Sequence, residues 1–262
     1  MILRKVFFIL ILSMPALWAN LRAPVHIDRG GSELKAEKAA LKILGETLEF
    51  QCPEAYTGKI NFELFAGRAC DARVRYRILA EKDEKVKLTF VFAGTGNVTW
   101  SYRDKVGQSE AKPMKVNDRR FCTFCPDHMK QLLTAEQVFE FEKGEGELAV
   151  IYRQALSYDE RGHGYFSDSK WTQGFTYELW PIAEWQWAAP VSAEIKFSIG
   201  ARSGFLGIGY KDDKMQCFVT ENETQREIPL TIAPVQSERR VATAQVPLAK
   251  KPLRLNCSYG AD

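Results

Sequence analysis

The 262-residue chain is short of the features that announce most activities. Its charged residues nearly cancel, with 36 Lys and Arg against 33 Asp and Glu, so no strong field steers it toward nucleic acid or an anionic membrane. No run of the ~20 apolar residues needed to cross a bilayer occurs after the N-terminal segment. There is no Gly-x-Ser-x-Gly elbow of a hydrolase. The glycines of residues 204–209 lack the Gly-Lys-Ser/Thr of a phosphate loop. A second Cys-x-x-Cys is missing, as are an internal repeat and a low-complexity tract. These gaps leave no cofactor, no metal site and no catalytic residue to assign, and they argue against a nucleic-acid partner.

What is present begins at the N-terminus. Met1–Ala19 has a basic start with Arg4 and Lys5, an apolar stretch from Val6 to Leu12, and an exit ending Ala-Leu-Trp-Ala. That is the three-part layout of a secretory signal peptide, with cleavage expected after Ala19. The mature chain is then expected to be secreted or periplasmic, with no membrane-spanning segment of its own. Six cysteines follow, at positions 52, 70, 122, 125, 217 and 257. In an oxidising compartment an even count suggests disulfides, although sequence alone leaves the connectivity open. Local proximity favours Cys52–Cys70, Cys122–Cys125 and Cys217–Cys257.

The hydropathy pattern from residue 46 onward is β. Leu48, Phe50 and Cys52 alternate with polar residues, as do Val74, Tyr76 and Ile78, then Val86, Leu88 and Phe90, and later Leu148, Val150 and Tyr152. Period-two patterns of this kind put one face in a core and the other in water. The expected fold is all-β, with two antiparallel β-sandwich-like lobes. Its expected parts are a signal peptide (1–19), an N-terminal extension (20–45), a first lobe (46–105), a connector carrying the Cys-x-x-Cys (106–136) and a second lobe (137–262). In the extension Ser32 could cap a short helix over Glu33–Leu44 that ends at Gly45, or the segment could lead extended into the first strand. Residues 157–174, polar with interspersed aromatics, read as a long loop of the second lobe.

One order of motifs stands out. Glu-x-Leu-x-Phe at 46–50, Val-x-Tyr-x-Ile at 74–78, a charged turn and Leu-x-Phe-x-Phe at 88–92 are followed by Gly-x-Leu-x-Val-x-Tyr-Arg-Gln at 146–154, a long loop, and Phe-x-Tyr-x-Leu at 175–179 with a Trp a few residues on. The order resembles secreted bacterial proteins built from two β-sandwich lobes, over about residues 46–199. The resemblance implies a fold and no activity.

Three features could carry function. Cys122-Thr-Phe-Cys125-Pro-Asp-His128, with Arg119 and Arg120 close by, could be a redox dithiol or three of four metal ligands. A plain structural disulfide fits the compartment better, and the βαβ context of redox Cys-x-x-Cys proteins is missing. The 157–174 segment offers Tyr158, His163, Tyr165 and Trp171, with Trp185 nearby, as a recognition surface for a protein or glycan partner. The competing reading of Trp185 is sandwich core. The third is the Arg73, Arg75, Arg77 stripe, which is more simply a solvated sheet face cross-paired with acids such as Glu63. The leading expectation is an exported, non-enzymatic binding module. The alternative is a thiol-disulfide oxidoreductase using Cys122 and Cys125.

Overall fold

A computed structural model describes residues 20–21, 25–27, 33–34, 40–58, 68–93, 97–104, 107–121, 131–164, 167–179, 182, 185–204, 209–221, 224–249 and 253–260. Their strands in chain order are β1 Asn20–Leu21, β2 Val25–Ile27, β3 Glu33–Leu34, β4 Leu41–Cys52, β5 Ala69–Ala80, β6 Glu84–Ala93, β7 Thr99–Arg103, β8 Lys112–Pro113, β9 Lys115–Phe121, β10 Gln131–Phe141, β11 Gly144–Ala155, β12 Ser157–Gly164, β13 Ser167–Glu178, β14 Gln186–Trp187, β15 Ser192–Gly200, β16 Lys214–Glu221, β17 Thr224–Ile228, β18 Thr231–Ile232, β19 Arg239–Pro247 and β20 Leu253–Gly260. The fold is all-β, and no helix among the described residues is long and apolar enough to cross a membrane.

The strands form three sheets. The largest has nine strands along the path β18-β19-β15-β4-β5-β11-β7-β8, with β14 added beside β4. A six-stranded sheet is built on β6, β10 and β9, and a five-stranded sheet runs β12-β13-β20-β16-β17. Strands from residues 41–103 and from 144–247 therefore share the nine-stranded sheet, where β4 and β15 pair in parallel.

Register shows how the sheets stack. Phe50, Ala72 and Tyr152 lie opposite one another across β4, β5 and β11, so their side chains share a face. Phe50 meets Phe175 of the five-stranded sheet at 4.2 Å between ring centroids. Tyr152 meets Phe90 and Phe92 of the six-stranded sheet, each at 5.3 Å. Both smaller sheets thus cover the same face of the nine-stranded sheet, side by side. The result is a sandwich with one continuous layer and one divided layer, which is how the alternating segments bury a single continuous core.

The opposite face of the large sheet is wet. Arg75 pairs with Glu49 at 2.6 Å and Arg77 with Glu145 at 3.8 Å, so these two arginines of the stripe are cross-strand ion-paired on a solvated face. Glu63 lies outside the described residues. The six-stranded sheet has its own wet face, where Lys85 pairs with Glu140 and Lys87 with Glu136.

Two local expectations need correction. The helix over Glu33–Leu44 is not formed in its described parts: Glu33–Leu34 is β3, and Leu41–Leu44 opens β4. Residues 35–39 lie outside the described residues. Leu41 and Ile43 are in phase with a buried sheet face and pair with β5, so sheet packing overrides helical preference. Gly45 is not a helix cap; it sits where the register shifts after Ile43, at a bulge. The second correction concerns the 157–174 loop, which is a β-hairpin. Ser157 opposes Gly174 and Glu160 opposes Trp171, with register shifts at Gly162 and Gly164. Its polar residues reflect an edge strand rather than missing structure, and such irregular edges resist pairing with another chain.

Candidate functional site

The site is built where β4 leaves the large sheet. Cys52 ends β4 and is bonded to Cys70, the second residue of β5, so the disulfide closes the base of the segment between them. Ala55 of that segment is buried. Gly200, at the end of β15, lets the segment lie close: a Cβ there would come within 2.9 Å of the Glu54 amide nitrogen. On the other side Arg239 donates to the Cys52 carbonyl at 2.9 Å and to the Ser198 carbonyl at 3.1 Å, tying the strand end to β15 and β19.

Four residues of the five-stranded sheet receive this segment. The Tyr56 amide donates to Gln173 Oε1 at 2.5 Å, and Gln173 Nε2 donates to the Tyr259 hydroxyl at 3.2 Å. Gln173 is fully buried at 0% exposure, so both halves of its amide are used inside the protein. Trp171 Nε1 donates to the Gly58 carbonyl at 3.0 Å, and its ring lies 6.5 Å from that of Tyr56. Arg68 completes the group. Its guanidinium stands 5.5 Å from the Tyr56 ring centroid, and its Nη2 donates to the Glu54 carbonyl. The Arg68 charge also acts on the phenols of Tyr158 and Tyr259. Tyr56, Arg68 and Tyr158 are half-buried, while Gln173, Tyr259 and Trp171 behind them are buried.

The electrostatics keep these phenols neutral. Burial pushes the Tyr158 phenol above its usual value, with the Arg68 charge opposing. Burial does the same to Tyr259, again against Arg68. Both therefore stay protonated near neutral pH. The group offers flat aromatic faces, phenol hydroxyls and a guanidinium, which suits contact with a partner.

A second polar cluster lies deeper, between the large sheet and the five-stranded sheet. Tyr177 donates to Glu46 Oε1 at 2.7 Å, and the Tyr76 and Tyr177 hydroxyls are 3.1 Å apart. All three side chains are buried. Burial, and then the Glu46 charge, raise the Tyr177 phenol well above its normal range.

The candidate residues named from sequence fall in different places. Tyr158 and Trp171 belong to the site. Trp185 is 2% exposed and sits in the core, so it presents no surface. The backbone of His163 lies in β12, but its side chain is outside the described residues, as are Tyr165, Cys122, Cys125 and His128. Cys217 and Cys257 are bonded across directly opposed positions of β16 and β20. Among the described residues no three His, Cys, Asp or Glu side chains come together as a metal site would require. Sequence reading missed Tyr56, Arg68, Gln173 and Tyr259. Gln173 carried a signal, because it is the polar member of an otherwise apolar alternation through Trp171, Phe175 and Tyr177.

No protein-family profile matches the chain, and neither does any curated protein sequence. Among solved structures, a candidate nutrient binding protein from Legionella pneumophila aligns over 91% of this chain and 71% of its own, at 10% identity and a TM-score of 0.41. Leukotriene A4 hydrolase from Saccharomyces cerevisiae aligns over 84% of this chain at 11% identity and a TM-score of 0.36, and the chain spans 29% of that enzyme's length.

Proposed function

We propose that this protein is a non-enzymatic binding module of an oxidising compartment, periplasmic, envelope-bound or extracellular, and that a protein or glycan partner docks on Tyr56, Arg68 and Tyr158. The observation that carries this reading is the fixed backbone at Tyr56, whose amide donates to buried Gln173, itself bonded to buried Tyr259, beside half-buried Arg68 and Tyr158. Tyrosine and arginine dominate binding hot spots, and a tyrosine already fixed in place loses little entropy on contact. The signal-peptide-like N-terminus and the two buried disulfides fit an oxidising compartment.

The test is to probe peptide and glycan arrays with the mature protein and with Tyr56→Ala and Tyr158→Ala. The reading expects a small set of signals that both substitutions abolish while the melting temperature is nearly kept. Blank arrays, or signals indifferent to both substitutions, would contradict it.

A further inference from the structure

We infer that the partner presents a carboxylate to Arg68, so that the ligand is an acidic peptide segment. This deepens the reading above and rests on it. The argument starts from the company Arg68 keeps. Its guanidinium is met by neutral groups: it donates to the Glu54 carbonyl and stands over the Tyr56 ring. Among the described residues no carboxylate forms an ion pair with it, and its Nε is buried without a hydrogen-bond acceptor. Elsewhere on this protein half-buried arginines are neutralised directly. Arg75 meets Glu49, Arg202 meets buried Asp213, and Arg254 meets buried Glu178. Arg68 and Arg239 are the described half-buried arginines held by neutral groups instead, and of the two it is Arg68 that stands over the Tyr56 ring.

A second guanidinium reinforces the positive pole. Arg239 acts on the same Tyr259 hydroxyl as Arg68 does. It is spent on the carbonyls of Cys52 and Ser198 and is acted on by the Asp71 charge, so it contributes field rather than a free donor. A half-desolvated positive charge held by neutral groups is completed by an incoming anion, and a carboxylate matches the guanidinium fork. The aromatic faces of Tyr56 and Tyr158 then cover the chain on either side of that carboxylate. Burial keeps the Tyr158 phenol neutral, so it repels no anion.

The experiment is titration calorimetry of the mature protein with an oligoglutamate peptide, against oligolysine and oligoserine, at low and at physiological salt. Oligoglutamate alone should bind, weaker as salt rises. Arg68→Met should weaken it by about tenfold to a hundredfold, the range for losing a charged hydrogen-bond pair. Arg68→Lys, which keeps the charge but not the fork, should fall between. Since Arg68 also holds the Glu54 carbonyl, Arg68→Met could loosen the segment. Exchange protection of the Tyr56 amide reports this, and if protection is lost the Arg68→Lys result and the salt dependence decide. Absence of oligoglutamate binding, or binding that Arg68→Lys and salt leave unchanged, would overturn the inference. Array signals from neutral ligands that still require Tyr56 would refute the carboxylate and leave the binding module standing. Blank arrays would remove both.

Discussion

The two small sheets cover the same face of the large one, yet they adhere to it by different means. The six-stranded sheet packs mainly with rings, Phe90 and Phe92 on Tyr152, Phe139 on Trp100 at 4.6 Å and Phe141 on Tyr102 at 5.1 Å, with buried Glu84 at its end accepting from the Ala40 amide just before β4. The five-stranded sheet packs with rings and also with buried polar groups, Tyr177 on Glu46 and Gln173 on the Tyr56 amide. It also carries the Cys217–Cys257 bond, and Cys52–Cys70 lies where it meets the large sheet. Apolar contact is non-directional and tolerates small slides. A buried hydrogen bond fixes one alignment, because misalignment leaves a desolvated group without a partner. The candidate site lies beside the interface that carries the Tyr177–Glu46 and Gln173–Tyr56 bonds.

Alkaline pH gives the largest effect that sharpens this contrast. Burial pushes the phenols of Tyr152, Tyr177 and Tyr259 far up, and Glu46 adds to the rise in the first two. Their folded-state values exceed the ordinary 10.0, so above that pH the unfolded chain releases protons that the folded chain keeps. Stability is therefore whole below pH ~10 and falls as pH rises, by about 1.4 kcal/mol per pH unit for each phenol. Phenolate absorbance should rise cooperatively with loss of circular dichroism. A smooth titration in a folded protein would show that these hydroxyls are accessible.

Disulfide removal comes next. Replacing Cys217 and Cys257 together with Ala should cost about 4 kcal/mol in denaturant unfolding, and replacing Cys52 and Cys70 about 3, as their loop lengths imply. The contrast predicts that losing Cys52–Cys70 also loosens Tyr56 and Arg68, read as faster proteolysis after Arg68. An unchanged cleavage rate would mean that the segment is held without the bond.

Smaller again is a paired test of the two interfaces. Tyr177→Phe should cost about 1–3 kcal/mol, because it removes the donor to buried Glu46. Leu88→Met, on the buried face of β6 in the six-stranded sheet, should cost less than about 1.5 kcal/mol. Equal costs would erase the distinction between polar and apolar attachment.

The smallest expected effect is a gain. Ser237 and Glu238 have φ of 46° and 58°, and Gln236 and Arg239 exchange backbone hydrogen bonds around them. This is a tight turn best suited to Asn-Gly. Ser237→Asn together with Glu238→Gly should raise stability by up to about 1 kcal/mol, the left-handed strain relieved less the added unfolded-state entropy. A loss would show that the native side chains there make compensating contacts.

The strands themselves were legible because period-two alternation survives wherever one face is dry and the other wet, as in β5, β6 and β11. Glu46 and Gln173 were legible in part, each a polar residue at a dry position. The hairpin at 157–174 was missed because an edge strand can be polar on both faces. The parallel pairing of β4 with β15 left no local mark, since its partners are about 150 residues apart and nothing but register joins them. The site was hidden for the same reason: Tyr56, Arg68, Tyr158, Gln173 and Tyr259 come together only when two sheets do.

The most direct test of a preformed site is hydrogen exchange at a single amide. Tyr56 N–H donates to fully buried Gln173, so it should exchange as slowly as core strand amides, and Gln173→Leu should release it while the centre of β5 stays protected. A Tyr56 amide that exchanges at loop rates in the unmodified protein would contradict the account.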